Sequence, residues 1–124
     1  MTTLASPNYS DSPRAAIQNY WNLLDRRQID MARDLLINTE ITPAGRYELQ
    51  MWEDTVENNP LLTLQKVEFL DSKDDKQILV KVIWTSVTQE NKDVTYSFET
   101  KQTDQGWRIK QVRRINALSL IGGY

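Results

Sequence analysis

The sequence predicts an α+β domain, three helices followed by a four-stranded antiparallel meander curling around them, and two observations carry that prediction. From Pro13 to Val56 the apolar residues recur at the period of about 3.6 that marks a buried helix face. Beyond Pro60 the period falls to about 2, with Thr, Val, Ile and aromatic residues at strand spacing. The 124 residues, 40% of them hydrophobic, are enough for one core and too few for two. Residues 1–11 mix Thr, Ser, Asn and Pro without periodic apolar content and read as a tail or linker, leaving 12–121 as one domain.

Ser12 and Pro13 are a cap and a first-turn proline, and the helix they open runs to about Arg27. Ala16, Ile17, Tyr20, Trp21, Leu23 and Leu24 fall on one face of it. Asp30 is the expected cap of a short second helix whose stripe is Met31, Ala32, Leu35 and Leu36 and whose stop is Asn38. Thr42 and Pro43 repeat the cap-then-proline signal for a third helix, which ends at Asn58-Asn59-Pro60. Its apolar set is Ala44, Tyr47, Leu49, Met51, Trp52 and Val56.

Strands are expected at 62–71, 77–89, 93–103 and 106–116. The links Ser72-Lys73-Asp74-Asp75, Glu90-Asn91-Lys92 and Asp104-Gln105-Gly106 are short enough to make neighbours antiparallel. In the second strand Ile78, Val80, Val82 and Trp84 share one face while Leu79, Ile83 and Val87 share the other. Alternation at Trp107 and Ile109 resumes at Val112, a slip of one residue that predicts a β-bulge near Lys110 and Gln111.

Composition removes several chemistries. The formal charge is −2, so no basic field concentrates nucleic acid. Cys and His are both absent, which eliminates disulfides, thiolate nucleophiles, imidazole triads and the commonest transition-metal ligands. No Gly-rich phosphate loop, EF-hand or nucleophile elbow is present, so no cofactor and no metal are expected. No apolar run approaches the roughly 20 residues that span a bilayer. The chain reads as soluble, and as cytoplasmic unless a native leader or lipid anchor has been removed.

The helix pair opening its second member with Asp30-Met31-Ala32-Arg33-Asp34-Leu35-Leu36, then a third helix, then strands closing on Gly106-Trp107-Arg108-Ile109-Lys110, resembles the nuclear transport factor 2-like superfamily over residues 13–116. The resemblance implies a cystatin-like cone, its helices packed on a strongly curved four-stranded sheet around an apolar pocket, with dimerisation through the sheet. It does not imply an activity, because the superfamily hosts isomerases, dehydratases and binding modules. About five residues separate the second and third helices here. That leaves no room for the strand pair in which isomerase-like members carry an acidic base, and the arrangement looks more like the compact subset found as accessory domains of envelope proteins.

Candidate site residues follow from these faces. Tyr20 lies close to where isomerase-like relatives place an oxyanion-donating Tyr, although a core phenol is the preferred reading. Glu48 falls between Met51 and Trp52 on the helical wheel, facing either an apolar pocket, where it would be a proton-transfer group, or a partner such as Arg108 or Arg113. Trp52, Trp84, Tyr96, Phe98 and Trp107 suit either the wall of a cavity for a small apolar ligand or a filled core, and the filled core is preferred. Leu79, Ile83, Val87 and Val112 on the outer sheet face need a cover. A homodimer through the sheet is ranked ahead of the chain's own Leu118, Leu120 and Ile121. The leading expectation is a non-enzymatic binding or interaction domain. The alternatives are a cofactor-free isomerase or lyase using Glu48 and Tyr20, and an accessory domain of a cell-envelope protein.

Overall fold

A computed structural model describes residues 12–70, 77–88 and 91–115. The expected tail over 1–11, the first inter-strand link, Glu90 and the three apolar residues near the C-terminus lie outside these. Three helices, α1 (Pro13–Asp25), α2 (Ile29–Arg33) and α3 (Pro43–Asn58), precede four strands, β1 (Thr63–Leu70), β2 (Ile78–Thr85), β3 (Lys92–Thr103) and β4 (Gly106–Arg114). The strands form one antiparallel sheet in the order β1-β2-β3-β4. Among the described residues no helix is long and apolar enough to cross a membrane.

Both cap-then-proline signals act as expected. Ser12 Oγ accepts from the Ala15 N–H at 3.1 Å and Thr42 Oγ1 from the Gly45 N–H at 3.2 Å, so each hydroxyl satisfies one of the free donors at a helix start. Helix α1 buries the predicted six residues, Ala16, Ile17, Tyr20, Trp21, Leu23 and Leu24. It is followed by Arg27 at φ 60°, a left-handed conformation that costs a branched or long side chain more than glycine. The Arg27 guanidinium donates to the carbonyls of Asp25, Asn59 and Leu62 at 2.7, 2.7 and 2.8 Å. This clamp ties the end of α1 to the turn leading into β1.

The second helix departs from expectation. It begins at Ile29, and its cap position is held by Gln28 without a side-chain hydrogen bond, so Asp30 does not cap it and stands fully exposed inside the first turn. It ends at Arg33 rather than continuing to Asn38. Tertiary pairing is the reason: the Ile109 N–H donates to Leu35 O at 2.7 Å and the Ile37 N–H donates to Ile109 O at 2.8 Å, a parallel bridge to the edge of β4. Arg108 adds hydrogen bonds to the carbonyls of Asp34 and Leu36. Leu35 and Leu36 are fully buried as predicted, but Leu35 lies in the turn that follows the helix and Leu36 in the bridge to β4.

In the sheet, the predicted bulge is present. Glu99 pairs with Gln111 and Thr100 with Ile109, which leaves Lys110 as the extra residue. A second register shift between Leu64 and Lys66 leaves Gln65 unpaired in β1. The bulge at Lys110 turns both Ile109 and Val112 toward the helices, so Val112 joins the core instead of the outer face on which it was expected. Strand β2 stops at Thr85, and Val87 lies beyond it in a bend pinned by Ser86 and Thr88, 86% exposed and outside the sheet face expected for it. One core cluster joins the inner faces of all four strands to α1, α2 and α3.

Candidate functional site

The space between helices and sheet is occupied by aromatic rings. Trp21 of α1 lies at their centre, with Tyr20, Trp52, Trp84, Tyr96 and Phe98 around it at centroid distances of 5.2 to 6.4 Å. It stacks on Tyr96 at an interplanar angle of 11°, and Trp52 stacks on Trp84 at 17°. Edge and stacked contacts at these distances are favoured beyond the area they bury. Of the six proposed pocket residues, Tyr20, Trp52, Trp84 and Tyr96 are buried in this cluster. Trp107 is not part of it: it sits half-buried opposite Gln102, near the far end of the β3–β4 pair. The indole N–H groups of Trp21 and Trp84 have no hydrogen-bond partner among the described residues.

Two acids of α3 meet this interior, and each takes a phenol. The first is Glu53, fully buried. Its Oε2 accepts from the Tyr20 hydroxyl at 2.9 Å, its Oε1 from Arg33 Nε at 2.9 Å, and Arg46 approaches at 3.5 Å. Burial, reinforced by the adjacent negative charge of Glu53, pushes the Tyr20 phenol well above its ordinary value. The second acid is Glu48, partly exposed, whose Oε1 accepts from the Tyr96 hydroxyl at 3.0 Å. The Tyr96 oxygen in turn accepts from Trp52 Nε1 at 2.8 Å. Burial, with Glu48 as the next cause, raises the Tyr96 phenol strongly as well.

The predicted pair of Tyr20 and Glu48 is therefore divided between two hydrogen-bonded sets. Positions 48 and 53 are five apart in a helix, which separates their side chains by about 140° around the axis. Tyr20 directs its proton to Glu53, and Glu48 holds Tyr96. Glu48 does meet a cation, but its partner is Arg114 at 4.0 Å and neither of the arginines expected for it. Arg108 is engaged with backbone carbonyls beside α2, and Arg113 is exposed and makes no ion pair with Glu48. Chemically, both sets fix protons in place: each phenol donates to a carboxylate and is held in its neutral form.

Glu53 is the residue that the sequence reading missed. It lies about 40° from Leu49 and about 60° from Val56 in helical phase, so the wheel does place it beside the core-facing stripe. Tyr47 is 68% exposed and Ala44 is also exposed, and counting both as apolar-face residues drew the centre of the arc toward Glu48.

Among the described residues two clefts open at the rim. A cleft of about 440 Å³ lies between the start of α3 and the bulged part of β3 and β4, with Glu48, Gly45, Ser97, Gln111 and Arg113 on its walls. A second, of about 340 Å³, is bounded by Met51, Trp52, Lys92, Asp93 and Arg114. Both mix charged and apolar walls. Among the described residues no group of three acidic side chains is arranged to hold a metal ion. On the outer face Leu79 pairs with Leu70, and Ile83 with Lys66 and Asp93; both candidates are half-buried. No protein-family model matches this chain, and no curated protein matches its sequence.

Proposed function

We propose that the chain is a non-enzymatic interaction domain, a compact nuclear transport factor 2-like cone that associates with a second copy through its sheet. The observation that supports this reading best is the filled interior. The space in which a pocketed relative would receive a small ligand holds the stacked rings of Trp21, Tyr96, Trp52 and Trp84. The acids nearest to it, Glu53 and Glu48, are both occupied by phenols. A general base must reach the proton it removes; Glu53 is buried behind three donors, and Glu48 is already held by Tyr96 and Arg114.

What remains for recognition is the surface, and the half-buried Leu70, Leu79 and Ile83 give the outer sheet face its apolar content. The reading is tested by the solution mass of the parent chain and of Ile83→Glu, measured by light scattering, with circular dichroism to check the fold. A dimeric parent and a folded, monomeric variant are expected. A parent that is monomeric at all accessible concentrations overturns the association.

A further inference from the structure

The two edges of the sheet are not equivalent. Strand β4 is covered along its outer side, because Leu35 and Ile37 bridge Ile109 and the Gly45 backbone lies against the Val112 carbonyl. Among the described residues strand β1 pairs only with β2. The Leu64 N–H donates to the Asp25 carboxylate at 2.9 Å, but among the described residues no backbone group from Gln65 to Leu70 has a partner outside the sheet. An edge of this kind is a template for another strand unless its side chains forbid pairing.

The β1 side chains select one pairing. Leu64, Val67 and Phe69 pack toward the core, and Lys66, Glu68 and Leu70 point to the outer face, opposite Ile83, Lys81 and Leu79. Over the regular stretch beyond the Gln65 bulge, Lys66 to Glu68, two copies of β1 running antiparallel must keep inner residues opposite inner ones, so the two-fold axis must pass through a residue rather than between two. An axis at Lys66 sets lysine against lysine, and an axis at Glu68 sets glutamate against glutamate. An axis at Val67 sets Lys66 of each copy against Glu68 of the other, twice over, with Val67 facing Val67 on the inner side. Neither Lys66 nor Glu68 makes a close ion pair among the described residues, Glu68 standing opposite Lys81 across the β1–β2 pair without one.

We infer that β1 is the pairing edge of a symmetric dimer, two copies joined antiparallel about Val67 so that the two sheets become one. The proposal rests on the reading that the domain self-associates through its sheet, and names the strand and register by which it does so. Isologous contacts of this type are self-limiting, since the two open edges are consumed in one interface. Opposite charges directly across an antiparallel pair are favourable and like charges are not.

Sedimentation and light scattering at low ionic strength on Lys66→Glu, Glu68→Lys and the double exchange test it. Each single reversal creates two like-charge contacts and is expected to raise the dimer dissociation constant about tenfold or more. The double exchange restores both pairs and is expected to return it to the parent value. Because the chain has no cysteine, Val67→Cys supplies an independent measure: oxidation should link two copies through that residue alone. Single reversals that leave the mass unchanged, or a double exchange as weak as the singles, overturn the proposal. If Ile83→Glu dissociates the dimer while neither charge reversal does and Val67→Cys fails to cross-link, the edge proposal falls and association through the sheet face stands. A monomeric parent overturns both.

Discussion

Tyr20 of α1 donates a 2.9 Å hydrogen bond to Glu53 of α3, and both side chains are fully buried. The carboxylate is also held by Arg33 and Arg46, which are themselves partly open to solvent. The acid thus sits where the first and third helices and the end of α2 meet, and the two arginines carry its charge toward water. Replacing Tyr20 by Phe removes one donor from a buried carboxylate and is expected to cost about 1–3 kcal/mol. Glu53→Leu leaves the Tyr20 hydroxyl unpaired in the core, while the arginines retain their hydration. The double variant removes both halves of the contact, so its loss should fall short of the sum of the singles, with a coupling of about 0.5–3 kcal/mol. Urea unfolding of the four proteins measures it, and additive losses would show that the hydrogen bond is not a stabilising pair.

Alkaline stability follows from the same contacts. Burial and the adjacent Glu53 raise the Tyr20 phenol, and burial and Glu48 raise that of Tyr96. In the unfolded chain both titrate near 10. Below that value the native and unfolded states hold these protons equally, and the stability they contribute is complete. Above it the unfolded state loses protons that the native state keeps, so stability falls as pH rises, by up to about 1.4 kcal/mol per pH unit for each phenol. Urea midpoints at about pH 9, 10 and 11 should therefore decline steeply across the last interval. Tyr96→Phe, though less stable at neutral pH, should show a shallower decline; an unchanged slope would mean that Tyr96 titrates alike in both states.

Much of this architecture is legible in the residues themselves. Ser12-Pro13 and Thr42-Pro43 mark two helix starts because capping is local chemistry, decided within one turn. The bulge at Lys110 is legible because inserting one residue in a strand changes which face the next apolar residue meets. The bulge at Gln65 carries the same signature, Leu62 and Leu64 followed by Val67 and Phe69, but the signal is diluted by the polar residues between them. Helix α2 is overread for a different reason. Leu35 and Leu36 satisfy a helical period, while their fate is set by Ile109 and Arg108, more than 70 positions away, which offer the backbone better partners than another helical turn. In the candidate site, the acid that the core accepts is Glu53 rather than Glu48. Choosing between them requires knowing that Tyr47 turns outward, and that is a fact of packing.

Gly45 shows how closely α3 approaches β4. A Cβ added there would lie 2.8 Å from the Val112 carbonyl oxygen and 2.9 Å from Gln111 Oε1. Alanine is better than glycine in a helix by about 1 kcal/mol, and a free helix would gain that amount from the substitution. Here the nearest obstacle is backbone in a strand already fixed by its pairing with β3 and by the Leu36 bridge, so it cannot rotate aside as a side chain would. Displacing α3 would also lengthen the hydrogen bonds from the Thr42 N–H and hydroxyl to Gln111, at 3.3 and 3.1 Å. Gly45→Ala is therefore expected to destabilise the fold by about 1–3 kcal/mol, the usual cost of overpacking, despite its favourable helix propensity. Thermal unfolding of the variant decides between the two terms: a raised midpoint would mean that the helix moves away from β4 at no cost, and a lowered one that the close approach is fixed by the sheet.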